Sequence, residues 1–246
     1  MVTRPKRIGL LLPATNTVVE PDFVRALPAG VTLHSERLWV EEHPSEGRAR
    51  QRMVGEIDRA ARYLAQARVD VIALAVLTDS TPTGESASEM EHRVGSAVGI
   101  PVVRTSPAAV MALRALGAGL VCLASPYDEE FTAGLKTMLE ANGLIVTNAA
   151  SEPRLALAGD LAVQEQRPED ILDFASRVCP PEADAVFMPC NSWRSAEIVE
   201  ELERRTNAVV VTASLATLWR CLKVAGVAEA VSGCGRLLTD MPAVPA

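Results

Sequence analysis

The sequence predicts an α/β protein built as two similar, doubly wound three-layer halves related by a pseudo-twofold axis, and three observations carry that prediction. The first is composition. Of 246 residues 48% are hydrophobic but only 4% aromatic, and the apolar residues are largely Ala, Val and Leu, which suits parallel strands buried beneath helices. The second is the alternation of short apolar runs with stretches of helical period along the whole chain. The third is an internal repeat at an offset of 114 residues, in which Asp70 to Val76 matches Asp184 to Cys190 in pattern. A chain of this length buries a real core as one large domain or as two small ones.

Taken in order, the first element is a buried strand at Ile8 to Leu12. Arg4, Lys6 and Arg7 ahead of it give Met1 to Ala14 a superficial likeness to a signal peptide, but the apolar stretch is too short for a signal core and a first strand explains it better. Helical period follows at Arg48 to Arg68, then strands at Val71 to Val76 and Val102 to Arg104. The second part repeats the scheme: strands at Leu120 to Ala124, Ala185 to Met188 and Val209 to Val211, with helices at Glu129 to Asn142 and Ala196 to Thr206. Gly143 after Asn142 reads as a helix stop. Pro168 followed by Glu169 and Asp170 reads as a helix start whose acids meet the positive end of the dipole. The repeat also pairs Ile8 to Ala14 with Ala118 to Ala124, and Val102 to Thr105 with Val209 to Thr212. The expected division is residues 1–115 plus about 226–246 for the first half and 116–225 for the second, with the segment after Ala225 packing back on the first.

Charge and cysteine content narrow the function. Lys plus Arg total 24 against 31 Asp plus Glu, a net charge of -7, and no basic run exceeds Arg4 to Arg7, which argues against nucleic acid as a partner. No apolar run approaches the roughly 20 residues needed to span a bilayer, so no membrane partner is expected. The five cysteines, at 122, 179, 190, 221 and 234, form no CxxC pair and leave an odd one over. Neither a disulfide framework nor a zinc site is indicated, and a reducing cytoplasm fits best. His34, His43 and His92 lie at no metal-ligand spacing, and no glycine-rich phosphate cradle is present. The expected site uses neither metal nor organic cofactor, and homo-oligomer formation stays open.

Ligands of doubly wound sheets bind beyond the carboxyl ends of the strands, which singles out Asn16, Val76 to Ser80, Tyr127, and Cys190 to Ser192 as junctions able to converge on one pocket between facing halves. Cys190 ends an apolar strand and precedes Asn191, Ser192 and a helical run from Arg194 to Arg205, so helix-start N–H groups would ease ionisation of its thiol or hold a carboxylate. The plainer reading is a small buried hydrophobe, which fits Cys122 and Cys221. Asn16, with Thr15 and Thr17, supplies neutral donors or simply caps a helix before Glu20 and Pro21. Tyr127 in Ser125-Pro126-Tyr127-Asp128 has the same two readings, a site phenol or a packing ring beside a capped helix.

At Pro13-Ala14-Thr15-Asn16-Thr17, Tyr127 and Met188-Pro189-Cys190-Asn191 the chain resembles the aspartate/glutamate racemase superfamily, in particular its maleate cis-trans isomerase and arylmalonate decarboxylase branch. The resemblance runs nearly the whole length and includes Gly99-Ile100-Pro101 and the helix ending at Leu113-Arg114-Ala115-Leu116-Gly117. It implies two facing flavodoxin-like halves, no cofactor, and carbon-acid chemistry on small carboxylates. Racemases and maleate isomerases carry one cysteine on each half. By resemblance Cys190 is the second of that pair, and Asn16 and Tyr127 match carboxylate-binding positions.

The first cysteine falls at Val76, where the repeat offset independently puts it. An isopropyl group neither attacks nor carries a proton, so two-base racemisation and thiolate attack from this side should be lost. Arylmalonate decarboxylases also lack that cysteine and reprotonate an enediolate from the one that remains. Their carboxylate-holding hydroxyl pair falls at Leu77 and Thr78, so half of it is kept, and Asp160 replaces a carboxamide of the isomerases with a group that repels a second carboxylate. The resemblance therefore implies decarboxylation of a malonate-type acid with Cys190 as proton donor and with Asn16, Thr78, Ser80, Tyr127, Asn191 and Ser192 around the small carboxylate or dicarboxylate. Two other readings stay open: isomerase or racemase activity with another group, such as Asp79, replacing the missing thiol, and a small-carboxylate binding protein without catalysis.

Overall fold

In the computed structural model, which describes residues 4–39, 46–76, 87–155 and 159–245, the chain forms two four-stranded, wholly parallel sheets. The first contains β1 (Lys6–Pro13), β2 (Val31–Leu38), β3 (Val71–Leu74) and β4 (Val102–Arg104) in the order β2-β1-β3-β4. The second contains β5 (Leu120–Ser125), β6 (Ile145–Ser151), β7 (Ala185–Met188) and β8 (Val209–Thr212) in the matching order β6-β5-β7-β8. Six of these strands fall where the apolar runs put them. The other two, β2 and β6, are edge strands whose residues are mostly half-exposed, so neither carries the continuous apolar run of a buried parallel strand.

The ladders correct the frame of the repeat. From Val71 and Ala185 to Leu74 and Met188, β3 and β7 keep the offset of 114. Ile8 pairs with Val71 and Val121 with Ala185, however, so β1 corresponds to β5 with Ile8 on Val121 rather than on Ala118. Ile72 pairs with Val102 and Val186 with Val210, so Val102 corresponds to Val210 rather than Val209. Runs of Val, Leu and Ala match one another in several frames, whereas backbone pairing and burial together admit one.

The helices are α1 (Val19–Arg25), α2 (Glu46–Gln66), α3 (Ala87–Val98), α4 (Thr105–Ala115), α5 (Glu129–Ala141), α6 (Gly159–Glu165), α7 (Pro168–Val178), α8 (Val199–Thr206), α9 (Ala213–Val224) and α10 (Gly235–Asp240). Period-2 alternation divides the first sheet between two cores. Leu11, Ile72 and Leu74 face α2 and α3, packing with Ile57, Ala60, Leu64, Met90 and Val94, while Ile8, Leu10, Leu12, Val71 and Ala73 face a core continuous with the second half. α2 lies so close to β1 that a Cβ on Gly9 would stand 2.9 Å from Leu64 Cδ1 and 3.1 Å from Val69 Cγ2, so any larger residue would have to displace those side chains.

The equivalent helices α4 and α9, which follow β4 and β8, pack against each other between the sheets. α9 also touches α1, β3 and β4 and is buried over nearly its whole length. The chain end departs from expectation. α10 packs on β8, α8 and α9 of the second half, and Glu203 of α8 accepts from the Arg236 N–H at 3.1 Å. Gly235, at φ +74, lets this turn press onto Val199 and Glu203, an approach that apolar pattern alone does not encode. Among the described residues no helix is long and apolar enough to cross a membrane.

Candidate active site

β3 and β7 are central, buried and polar-free, so polar side chains begin where the chain leaves the sheet. Cys190 stands two residues past Met188, the end of β7, and Val76 two residues past Leu74, the end of β3. Cys190 is 4% exposed and lies in the continuous core. Val76 is half-buried against the outer core of the first sheet. The Ser192 N–H donates to Cys190 Sγ at 3.3 Å, a contact that favours the thiolate over the thiol.

The helical start expected at Arg194 takes a different form: Arg194–Ile198 is a 3₁₀ turn and α8 begins only at Val199. The turn is fixed from behind by Trp193, fully buried, whose indole N–H donates to Gln166 Oε1 at 2.6 Å and whose ring packs on Phe174 of α7 at 6.2 Å. It is thus the Ser192 amide, rather than an α-helix terminus, that meets the sulfur.

Asn16, three residues past β1, is 1% exposed. Its Oδ1 accepts from the Val18 and Val19 N–H groups at 2.9 and 3.0 Å, a turn that leads into α1, whose N-cap is Val18 rather than Asn16. Its Nδ2 crosses to the other half and donates to the Asn191 carbonyl at 3.2 Å and to Ser192 Oγ at 2.9 Å. Asn191 returns the exchange: its Nδ2 donates to Thr105 Oγ1 of the first half at 3.0 Å. Thr217 of α9 also donates to Thr105 Oγ1, at 3.2 Å. Asn191 Oδ1 is buried and has no hydrogen-bond partner among the described residues. Next to Asn16, the Thr17 N–H and hydroxyl both donate to Gln164 Oε1 of α6 at 2.7 Å.

The structure therefore brings together Cys190, Asn191, Ser192 and Asn16. Tyr127 stands two residues past β5, which neighbours β7 in the sheet; its ring lies 4.4 Å from that of Phe131, and its N–H donates to Ser125 Oγ at 3.1 Å. Asp128, not Ser125, caps α5 by accepting from the Phe131 N–H. Thr78 and Ser80, with Leu77 and Asp79, lie outside the described residues, as does His43, and Asp160 is described only as backbone in the first turn of α6.

Thr105, Thr217, Gln164 and Trp193 were not anticipated. A polar residue directly after a buried strand, such as Thr105 after Arg104, is the signal that would have found the first. A second buried group links the halves: Asp22 of α1, 1% exposed, accepts from the Ser214 hydroxyl of α9 at 2.8 Å and from Arg25 at 2.9 Å. Burial outweighs these partners and pushes its carboxyl up to about 6. Among the described residues no cluster of three or more His, Cys, Asp or Glu is placed to hold a metal.

Comparison with known proteins meets this geometry from outside. Residues 8–238 match the family described as arylmalonate decarboxylase. The maleate isomerase of Nocardia farcinica is 30% identical over 255 residues, covering 98% of either chain. A solved structure of that organism's maleate cis-trans isomerase, a cysteine-to-serine variant with a covalently bound succinylcysteine intermediate, is 28% identical, covers 96% of this chain and 98% of its own, and superposes with a TM-score of 0.80. Arylmalonate decarboxylase of Bordetella bronchiseptica is 30% identical over 147 residues, 58% of this chain and 60% of its own. The maleate isomerase Iso of Pseudomonas putida S16, 25% identical, superposes over 96% of this chain and 99% of its own with a TM-score of 0.86.

Proposed function

The chain belongs to the arylmalonate decarboxylase family, and from that membership we propose that it performs cofactor-independent chemistry on a small carboxylic acid, decarboxylating a malonate-type substrate with Cys190 as proton donor. The observation that carries this reading is the asymmetry of two equivalent junctions: a thiol past β7 and an isopropyl group past β3. Loss of carbon dioxide leaves an enediolate, and one donor on one face is what its protonation requires. The Cys190 S–H passes its proton to the α-carbon, and the resulting thiolate is held by the Ser192 N–H until solvent returns a proton. Asn16 contributes by fixing Ser192 and the Asn191 carbonyl across the interface. Thr78, Ser80, Tyr127 and Asn191 are proposed to complete the surroundings of the carboxylates, where preorganised donors stabilise developing charge.

A second reading is maleate isomerisation, favoured by a maleate isomerase that matches over 98% of the chain where the arylmalonate decarboxylase relative matches over 58%. It needs a group other than Val76 to act opposite Cys190. Incubation with an arylmalonate and, separately, with maleate, followed by proton NMR, decides between them. The monoacid with release of carbon dioxide is the expected product. Fumarate without decarboxylation transfers the assignment to isomerisation, and binding of both acids without turnover transfers it to a carboxylate-binding protein.

A further inference from the structure

Away from the site, two other cysteines meet. Cys122 lies in β5 at the point where its pairing with β6 shifts register, opposite Asn148, and is fully buried. Cys179 is the C-cap of α7 and half-buried. The last carbonyl of α7, that of Val178, accepts from Asn148 Nδ2 at 2.7 Å and from Cys122 Sγ at 3.4 Å. These two bonds pin the end of the helix over the bulge and set Cys122 Sγ against the peptide that joins Val178 to Cys179, whose own Sγ donates to the Pro180 carbonyl at 3.7 Å. Both cysteines are thiols.

We propose that Cys122 and Cys179 are a peroxide-responsive dithiol that closes to a reversible intramolecular disulfide. Cys179 is the sulfur attacked by oxidant because it is half-buried where Cys122 is fully buried; the neighbouring Cys122 thiol also holds it below the usual thiol range, while that neighbour and burial push Cys122 up. The Cys179 thiolate attacks one oxygen of hydrogen peroxide; an S–O bond forms, the O–O bond breaks, and the leaving hydroxide takes a proton to become water. Sulfur is oxidised to the sulfenic acid as peroxide oxygen is reduced. Cys122 then attacks the Cys179 sulfur, the S–O bond breaks, and the departing hydroxide leaves as a second water with the Cys122 proton. A dithiol reductant returns both thiols. The consequence reaches the site through α7, because Phe174 on that helix packs on Trp193, three residues past Cys190: the disulfide would tie this helix to the centre of the sheet.

The test treats the folded wild-type protein with a few equivalents of hydrogen peroxide, blocks remaining thiols by alkylation, and maps peptides by mass spectrometry before and after dithiothreitol. The linked peptide containing Cys122 and Cys179 is expected as the dominant disulfide, to vanish on reduction, and to be absent from Cys179→Ser, in which Cys122 stays a thiol. Because Cys179 is half-buried at a helix end, that variant is expected to fold. Conversion of Cys179 to sulfinic or sulfonic acid without the linked peptide overturns the proposal. So does loss of the Cys122 thiol in Cys179→Ser at the wild-type rate, or a dominant link between any other pair.

Discussion

The two halves are interchangeable at the amino ends of their central strands and different at the carboxyl ends. Asp70, just before β3, accepts from the Arg7 N–H of β1 at 2.8 Å, and Asp184, just before β7, accepts from the Leu120 N–H of β5 at 3.0 Å and from the neighbouring Gly119 N–H. The same residue makes the same staple at the same place in each sheet. At the other end the counterpart of Cys190 is Val76, and Thr212, whose hydroxyl caps α9 by accepting from Leu215, corresponds to the buried Arg104. The duplicated end is where the sheet is held, and the divergent end is where ligands of such sheets sit. Chemistry that protonates a single face asks for this inequality.

The largest way to break the comparison is to remove the one thiol. Cys190→Ala should leave the circular dichroism spectrum and the fold unchanged while lowering turnover about 10²- to 10⁴-fold, the range expected for losing general-acid help. Cys122→Ala and Cys221→Ala, which empty buried strand and helix positions, should shift the unfolding midpoint and spare the rate. Turnover of Cys190→Ala equal to wild type on a true substrate would remove the proposed mechanism.

What the sequence made legible follows the same division. Central strands were readable because burial on both faces writes an unbroken apolar run, and the offset between Val76 and Cys190 survived because β3 and β7 are the most buried of these. The edge strands β2 and β6 were not, since Glu36 and Arg37 in β2 or Thr147 and Asn148 in β6 are tolerated where one side meets solvent, whereas the opposite edges β4 and β8 are largely buried and kept their apolar runs. Cys190, Asn191, Ser192 and Asn16 were readable from their positions past strand ends. Thr105, Asp22 and Ser214 were not: each lies in a helix, and its partner is 86 or more residues away, Asn191 for Thr105 and Ser214 for Asp22. Such pairings exist only once both halves have folded.

Asp22 tests how tightly the unequal halves are joined. The unfolded chain releases this proton near 3.8, and the folded chain keeps it up to about 6. Between those values the native state binds more protons, so stability falls as pH rises and the cost is complete above about pH 6. A shift of that size corresponds to roughly 3 kcal/mol, to be reduced by the part-exposed Arg25 pairing that Asp22→Asn also loses. Urea unfolding should show Asp22→Asn gaining on wild type from about pH 4 to about pH 7 and staying parallel beyond. Parallel curves across the whole interval would mean that α1 and α9 separate readily enough for water to reach the carboxyl.

The smallest structural change sharpens the comparison most. Val76→Cys exchanges side chains of nearly equal volume at a half-buried position, so its cost in stability should stay below about 1.5 kcal/mol. It restores a thiol at the junction equivalent to that of Cys190, and on the proposed function two such thiols would take and return a proton from either side of the substrate. The variant should therefore gain what the wild type lacks, racemisation or hydrogen exchange at the α-carbon of a chiral product acid. Enantiopure product in deuterated buffer, followed for label uptake and optical purity together, measures this directly. Wild type should be slow in both, Val76→Cys faster in both, and Val76→Cys combined with Cys190→Ala should lose the gain, since exchange from one side alone returns the proton to the face it left. Uptake of label without loss of optical purity would place both thiols on one face, contrary to the twofold relation of the sheets. An inert Val76→Cys, in a protein that still binds these acids, would mean that the inequality between the halves extends beyond the missing thiol.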